Sequence, residues 1–325
     1  MAKIPCFFTF DSNYVLAAAV AIDSMLRHAD PRHEYRLYVV HTGLLPKFQR
    51  HLEDVVGRYS NATIEFRDAS SYDVGWERMA LKAHFSKEVY YKMTAAEMFP
   101  EYDRMLFSDV DVIFTGDIAP AYFEYPDDDF YFAGVPFVFE SGTFAQYAGR
   151  FTAEEIATLR RHEISAGFML LNLKTIRRDG MQAKLEATFH DNLHRLVLPE
   201  QECIALCCAP RLRPLDPKYV VCAHYYNFDP ETVEFNRDVV ASREKGRQIL
   251  ADMLRDVVQL HYPGPDKPWI TPFSPRYRQW LAACRNAGQT WRYISLQPHF
   301  LTLKLRRYSL RRFISKIINK ITNKK

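Results

Sequence analysis

At 325 residues, with 48% hydrophobic and 25% charged side chains, the chain is ordinary for a globular protein. It can bury a large core as one big domain or one domain plus an appendage. The net charge of +4 hides an asymmetry: fourteen of the 43 Lys and Arg lie from Lys267 onward, where no acidic residue stands, so residues 1–266 carry −10 and the rest +14. No run approaches the roughly 20 uninterrupted apolar residues of a membrane span, and the six cysteines lack metal spacing and read as reduced thiols of a cytosolic protein.

Ile4–Phe10 is a continuous apolar run, too short for a signal-peptide core, and reads as a strand buried on both faces. Asp11-Ser12-Asn13-Tyr14 follows, and the Ala-rich Val15–Leu26 reads as a helix. Ligands of open α/β sheets collect beyond the carboxyl ends of strands, where Asp11 and Asn13 lie; either also suits a helix N-cap. Glu34–His41 predicts a second strand, Pro46–Tyr59 an amphipathic helix and Ala62–Phe66 a third strand. This β-α-β-α-β opening is Rossmann-like but lacks the G-x-G-x-x-G fingerprint.

Ser86–Phe99 reads as a helix capped by Ser86, with Lys92 among Tyr90, Tyr91 and Met93, either snorkelling at the surface or aimed inward at an anion. The strand Arg104–Ser108 then delivers Asp109-Val110-Asp111. In an extended chain, residues i and i+2 project to one side, about 6–7 Å apart. Two carboxylates there between apolar runs call for a divalent cation, although a bare D-x-D also suits a strand edge with two solvated aspartates. Phe130–Val135 predicts another strand, and polar Glu140–His162, with Gly142 and Gly149, predicts a loop or lid.

Ser165-Ala166-Gly167 leads into a buried strand reaching Leu173, and its small residues let a bulky group approach the backbone. Thr175–Leu196 is helical with a break near Gly180, and Leu198-Pro199-Glu200-Gln201-Glu202 opens another helix. The short strand Val257–Tyr262 runs into a proline-stiffened turn that brings together His261, Gly264 and Lys267, the groups needed to hold a metal-bound diphosphate. Beyond Pro298, Leu310, Phe313, Ile314, Ile317, Ile318 and Ile321 form one helical stripe, with Arg311, Arg312, Lys316 and Lys320 largely opposite. A basic amphipathic helix of this kind suits an anionic membrane surface. A core-packed helix and a nucleic-acid-binding tail are the alternatives, and the broad isoleucine stripe argues against nucleic acid.

Taken in order, these motifs resemble glycosyltransferase family 8, particularly the bacterial lipopolysaccharide glucosyl- and galactosyltransferases. The resemblance runs from about Ile4 to Trp269 and rests on Phe10-Asp11-Ser12-Asn13-Tyr14, Tyr90-Tyr91-Lys92, Phe107-Ser108-Asp109-Val110-Asp111-Val112, Ser165-Ala166-Gly167, Glu200-Gln201-Glu202 and an H-x-x-G-x-x-K-P-W run from His261 to Trp269. It implies an α/β GT-A fold, a Rossmann-like open mixed sheet with flanking helices, spanning 1–270. Residues 271–325 form the basic helical region that would associate with a membrane surface.

The resemblance implies a retaining, metal-dependent hexosyltransferase. It would move glucose or galactose from a UDP-sugar to a saccharide acceptor, the lipopolysaccharide core or a related lipid-linked glycan, with Mn²⁺ as cofactor and Mg²⁺ as a substitute. Asp109, Asp111 and His261 match metal ligands; Asp11, Asn13 and Tyr14 match uridine contacts; Gly264 and Lys267 match diphosphate contacts. Lys92 stands where many members carry arginine, and Ser165 where asparagine is common. With Ala166, Gly167, Glu200 and Gln201 they match the donor-sugar site, Gln201 lying beneath the anomeric carbon. Gln201, Glu200 and Lys267 are the catalytic candidates. The implied location is peripheral, on the cytosolic face of the inner membrane, with no nucleic-acid partner. Two readings from other classes are a D-x-D metal phosphohydrolase and a catalytically silent nucleotide-sugar-binding protein.

Overall fold

A computed structural model describes residues 1–72, 87–126, 129–136, 146–228 and 242–307. The apolar first run forms β1 (Lys3–Thr9), and its alternate residues enter two different cores: Ile4, Cys6 and Phe8 face one, Phe7 the other. Such a strand has no solvent face, which is why its sequence does not alternate. α1 (Val15–Arg27) is buried all round by β5, α2 and α10, and its run of alanines allows that close packing. β2 (Glu34–His41), α2 (Pro46–Val56) and β3 (Ala62–Asp68) complete the predicted opening, with β3-β2-β1-β4 all parallel. α2 ends at Val56, with Gly57 as its C-cap, three residues before the predicted terminus at Tyr59.

The single helix predicted over Ser86–Phe99 is absent. Ser86 lies outside the described residues, and the remainder forms a 3-10 turn at Lys87–Tyr90 and a separate short α3 (Ala95–Met98). Tyr90, Tyr91, Lys92 and Met93 between them are all buried, so tertiary packing on both sides of the chain overrides a helical period. β4 (Met105–Ser108), β5 (Val112–Phe114), α4 (Ala119–Phe123) and β6 (Phe132–Pro136) follow.

The stretch read as a loop over Glu140–His162 contains α5 (Ala153–His162), started by a capping box in which Thr152 and Glu155 satisfy each other's backbone N–H groups. Gly142 lies outside the described residues. β7 (Ile164–Leu171) already includes Ser165, Ala166 and Gly167, and pairs antiparallel with both β4 and β6. α6 (Leu173–Arg178) and α7 (Met181–Asn192) break at Gly180, as predicted, with φ +59°. α8 (Pro199–Cys208), β8 (Leu212–Pro214), β9 (Val221–Cys222), α9 (Arg243–Arg255), β10 (Gln259–His261), α10 (Tyr277–Asn286) and α11 (Thr290–Arg307) complete the described chain.

Among the described residues the main sheet has seven strands in the order β3-β2-β1-β4-β7-β6-β8, and a second sheet has β5-β10-β9. β4 and β5 therefore belong to different sheets, and the D-x-D occupies the bend between them. On α10, Trp280 is fully buried in the same core as β1, and Trp269 packs 5.8 Å from it. The isoleucine stripe from Leu310 to Ile321 lies outside the described residues.

Candidate active site

Asp109 and Asp111 do not stand on one extended strand. Asp109 donates its N–H to Gly167 O of β7 (3.0 Å), and Asp111 accepts from Tyr262 N–H at the end of β10 (2.9 Å), so the bend is pinned to both sheets. His261 pairs in register with Val112, which brings its ring beside both carboxylates. His261 Nε2 lies 3.2 Å from Asp111 Oδ1 and 3.6 Å from Asp109 Oδ2, and one ligand atom from each of the three residues falls within a mutual 4.8 Å.

Two lysines flank this group. Lys267 Nζ bonds the Asp111 carboxylate and donates to Tyr262 O (2.9 Å). Lys92 is aimed inward: only 2% exposed, its Nζ lies 3.7 Å from Asp109 Oδ1 and 3.4 Å from Glu200 Oε1, above the Phe107 ring. Burial raises the Asp109 carboxyl above its usual range, Lys92 works against that, and neighbouring Asp111 adds to it. Burial also opposes charge on Asp111, but Lys267 and His261 outweigh it and hold that carboxyl well below the usual range. For His261 burial disfavours the cation, yet Asp111 overcomes it and pushes the imidazole up to about 10. A cation binding here would displace that proton.

The donor set, two carboxylate oxygens and an imidazole nitrogen, suits Mn²⁺ or Mg²⁺. The backbone at Gly167 fits the same purpose: a Cβ there would stand 2.9 Å from His261 Cε1 and 3.4 Å from Asp109 Oδ2. Only glycine lets β7 pass so near His261 and Asp109 without a shift of the ring.

A cleft of about 1090 Å³ opens over this centre. Lys92, Asp109, Asp111, Ala166, Gly167, Glu200, Gln201, His261, Gly264 and Lys267 line it, as do Asp11 and Tyr14 at the end of β1. Asn13 does not: it is exposed, and both its backbone N–H and its side-chain amide donate to the Asp11 carboxylate. Ser165 is also absent from the lining, its hydroxyl accepting the Gly167 N–H. Glu200 Oε2 is buried with no hydrogen-bond partner among the described residues. Gln201 spans the floor, its Oε1 accepting Ala166 N–H (3.1 Å) and its Nε2 donating to Glu163 Oε1 (3.3 Å).

Two polar residues beneath the site escape a reading of motifs. Gln259 donates from the buried β10 to Ser108 Oγ (2.9 Å), tying the D-x-D bend to the second sheet. Glu163 sits at the foot of β7. The available signal was the same for both, a polar side chain within or against an apolar strand.

Residues 5–271 match the sequence model described as Glycosyl transferase family 8. General stress protein A of Bacillus subtilis (strain 168) is 20% identical over 272 residues, covering 82% of this chain and 88% of the relative. Among solved structures, the galactosyltransferase LgtC, in complex with donor and acceptor sugar analogs, superposes with a TM-score of 0.68 at 20% identity, covering 88% of this chain and 96% of LgtC. The apo structure of the bifunctional glycosyltransferase WbbM superposes with a TM-score of 0.71 at 19% identity over 91% of this chain, which spans only 52% of WbbM. The open mixed sheet with flanking helices is the GT-A fold of these neighbours. On the match over residues 5–271, the chain belongs to glycosyl transferase family 8 and is a glycosyltransferase.

Proposed function

We propose that the enzyme is a retaining hexosyltransferase. It moves glucose or galactose from a UDP-sugar to a saccharide acceptor, most simply a lipid-linked glycan such as a lipopolysaccharide core. The observation that carries this reading is the convergence of Asp109, Asp111 and His261 within 4.8 Å, with Lys92 and Lys267 beside them in one cleft. The cleft's size suits a nucleotide sugar, and LgtC, with the same fold, was solved with donor and acceptor sugar analogs.

A divalent ion held by Asp109, Asp111 and His261 would supply Lewis-acid stabilisation of a departing diphosphate. Lys267, fixed between Asp111 and Tyr262 O, adds positive charge on the same side. Asp11 and Tyr14 line the end of the cleft beyond β1, where a uridine would rest, with Tyr14 braced edge-on by Trp269 at 5.6 Å. Glu200 lines the cleft where a sugar hydroxyl would rest, and Lys92 holds its Oε1 at 3.4 Å. The Gln201 amide oxygen is too weak a nucleophile for a covalent intermediate, so it stabilises positive charge at the anomeric carbon during front-face attack. The leaving phosphate then takes the acceptor's proton.

The test is a panel of UDP-glucose, UDP-galactose and their N-acetyl forms, read by UDP release with Mn²⁺ and with EDTA. Slow Mn²⁺-dependent UDP release from one hexose donor without acceptor is expected. Release of inorganic phosphate from a phosphomonoester would instead support the D-x-D phosphohydrolase, and binding without any release the silent protein.

We propose further that the enzyme sits peripherally on the cytosolic face of a plasma membrane. Trp291 (81% exposed), Ile294 and Leu301 project from α11 into solvent just before the basic tail, and no described helix is long and apolar enough to cross a membrane. Deleting residues 308–325 is expected to abolish sedimentation with anionic vesicles while UDP release from a soluble assay persists. Unchanged sedimentation would reject the membrane address.

A further inference from the structure

Gln201 poses a problem that its own side chain cannot solve. An amide has a donor end and an acceptor end of nearly the same shape, and only its partners decide which end faces the cleft. Here the two ends meet opposite partners: Oε1 accepts the Ala166 N–H, and Nε2 donates to Glu163 Oε1. Glu163 is 4% exposed and does not line the cleft, so it does not reach a substrate. It closes the end of α5 and begins the approach to β7, immediately before the residues that border the metal-ligand cluster.

We propose that Glu163 is a positioning residue for Gln201, fixing the amide so that its electron-rich oxygen, and not its NH₂, is presented toward Ala166 and the cleft. The inference rests on the transferase reading, in which that oxygen lies beneath the anomeric carbon. A flipped amide would set N–H dipoles against positive charge developing on the sugar, which is destabilising where the oxygen is stabilising.

The surroundings suit the task. Glu163 Oε1 and Oε2 lie 3.5 and 3.4 Å from the Tyr147 hydroxyl, which braces the carboxyl from the far side. Burial, reinforced by the charge of Glu202 nearby, pushes the Glu163 carboxyl up to about 8. Glu202 is itself fixed at the start of α8, accepting the N–H groups of Val197 and Leu198 at 2.8 Å each. A glutamine at this position keeps one carbonyl oxygen to accept the Gln201 amide N–H. Glu163→Gln therefore preserves the device, and Glu163→Ala removes it.

The experiment compares wild type, Glu163→Gln and Glu163→Ala in two ways. In protein labelled with ¹⁵N in its glutamines, the Gln201 side-chain amide pair is identified by its loss in Gln201→Ala, and its hydrogen exchange is measured. Exchange is expected to quicken about ten-fold in Glu163→Ala and to stay near wild type in Glu163→Gln. In Mn²⁺-dependent UDP release, kcat is expected to fall about ten-fold or more in Glu163→Ala, with the donor KM within about two-fold, and to recover in Glu163→Gln. An unchanged Gln201 amide in Glu163→Ala, a loss confined to KM, or equal impairment of both variants would overturn the proposal. A wild type that releases no UDP from any donor rejects the transferase reading instead, and the amide measurement still decides the role of Glu163.

Discussion

Asp111→Ala is expected to lower UDP-sugar turnover by at least about 10³-fold while the protein stays folded. The size follows from how many partners converge on this one carboxylate. Asp111 Oδ1 is 3.2 Å from His261 Nε2, and Oδ2 holds the Lys267 ammonium, so the substitution removes a metal ligand and loosens two neighbours together. His261 loses the charge that overcomes its burial and becomes a neutral ring without its nearest anchor. The fold has less to lose, because the bend is held by the Asp111 carbonyl accepting Tyr262 N–H, a bond alanine keeps. The measurements are UDP release across an Mn²⁺ titration and a thermal melt in EDTA. A variant with the wild-type melting temperature and no turnover is the expected result; an active Asp111→Ala enzyme would sink the metal assignment.

Much of this site is legible in the sequence because its parts are short and chemically unusual. Carboxylates between two apolar runs, and an imidazole, glycine and lysine in a proline-rich turn, are costly combinations that need a ligand to explain them. The sequence also marks β1, whose unbroken apolar run means burial on both faces, and the break at Gly180, where φ is +59°. What it does not reveal is how far apart in topology the two halves of the site lie. The two-residue spacing of Asp109 and Asp111 suggests one strand face, whereas the chain changes sheets between them. That change depends on Val112 finding His261 across about 150 positions, a pairing no local pattern encodes.

Lys92 shows the same limit from the other side. It lies between Tyr90, Tyr91 and Met93 in a stretch that reads as a helix, but all four are buried and the helix does not form. Its direction, inward between Asp109 and Glu200, is decided by Phe107 beneath it and by residues 74 and 108 positions away, Ala166 and Glu200. In the loop predicted over Glu140–His162, the capping pair Thr152 and Glu155 was a readable start signal for α5, hidden by a polar composition.

Gly167→Ala is the second large effect expected, and it separates space from charge. Gly167 does not have a positive φ, so alanine meets no backbone penalty in β7, whose ladder with β4 is unaffected. The obstacle is purely steric: the new Cβ would stand 2.9 Å from His261 Cε1 and 3.0 Å from Nδ1. The ring has little freedom to yield, since His261 is held in register by β5 and β9 and drawn toward Asp111. It must tilt away from the point it shares with Asp109 and Asp111. Mn²⁺ affinity is expected to fall about 10–100-fold, the range seen when a ligand's orientation is disturbed and no ligand is removed. Turnover should fall with it at low Mn²⁺ and recover in part at saturation, a pattern Asp111→Ala cannot show. Gly134→Ala is the control. Its Cβ would stand 2.8 Å from Ile164 Cδ1, inside the core and away from the ligands, so it should cost about 1–3 kcal/mol of stability with Mn²⁺ affinity unchanged. If Gly167→Ala instead binds Mn²⁺ as tightly as wild type and differs only in melting temperature, β7 does not set the position of His261, and the glycine serves packing alone.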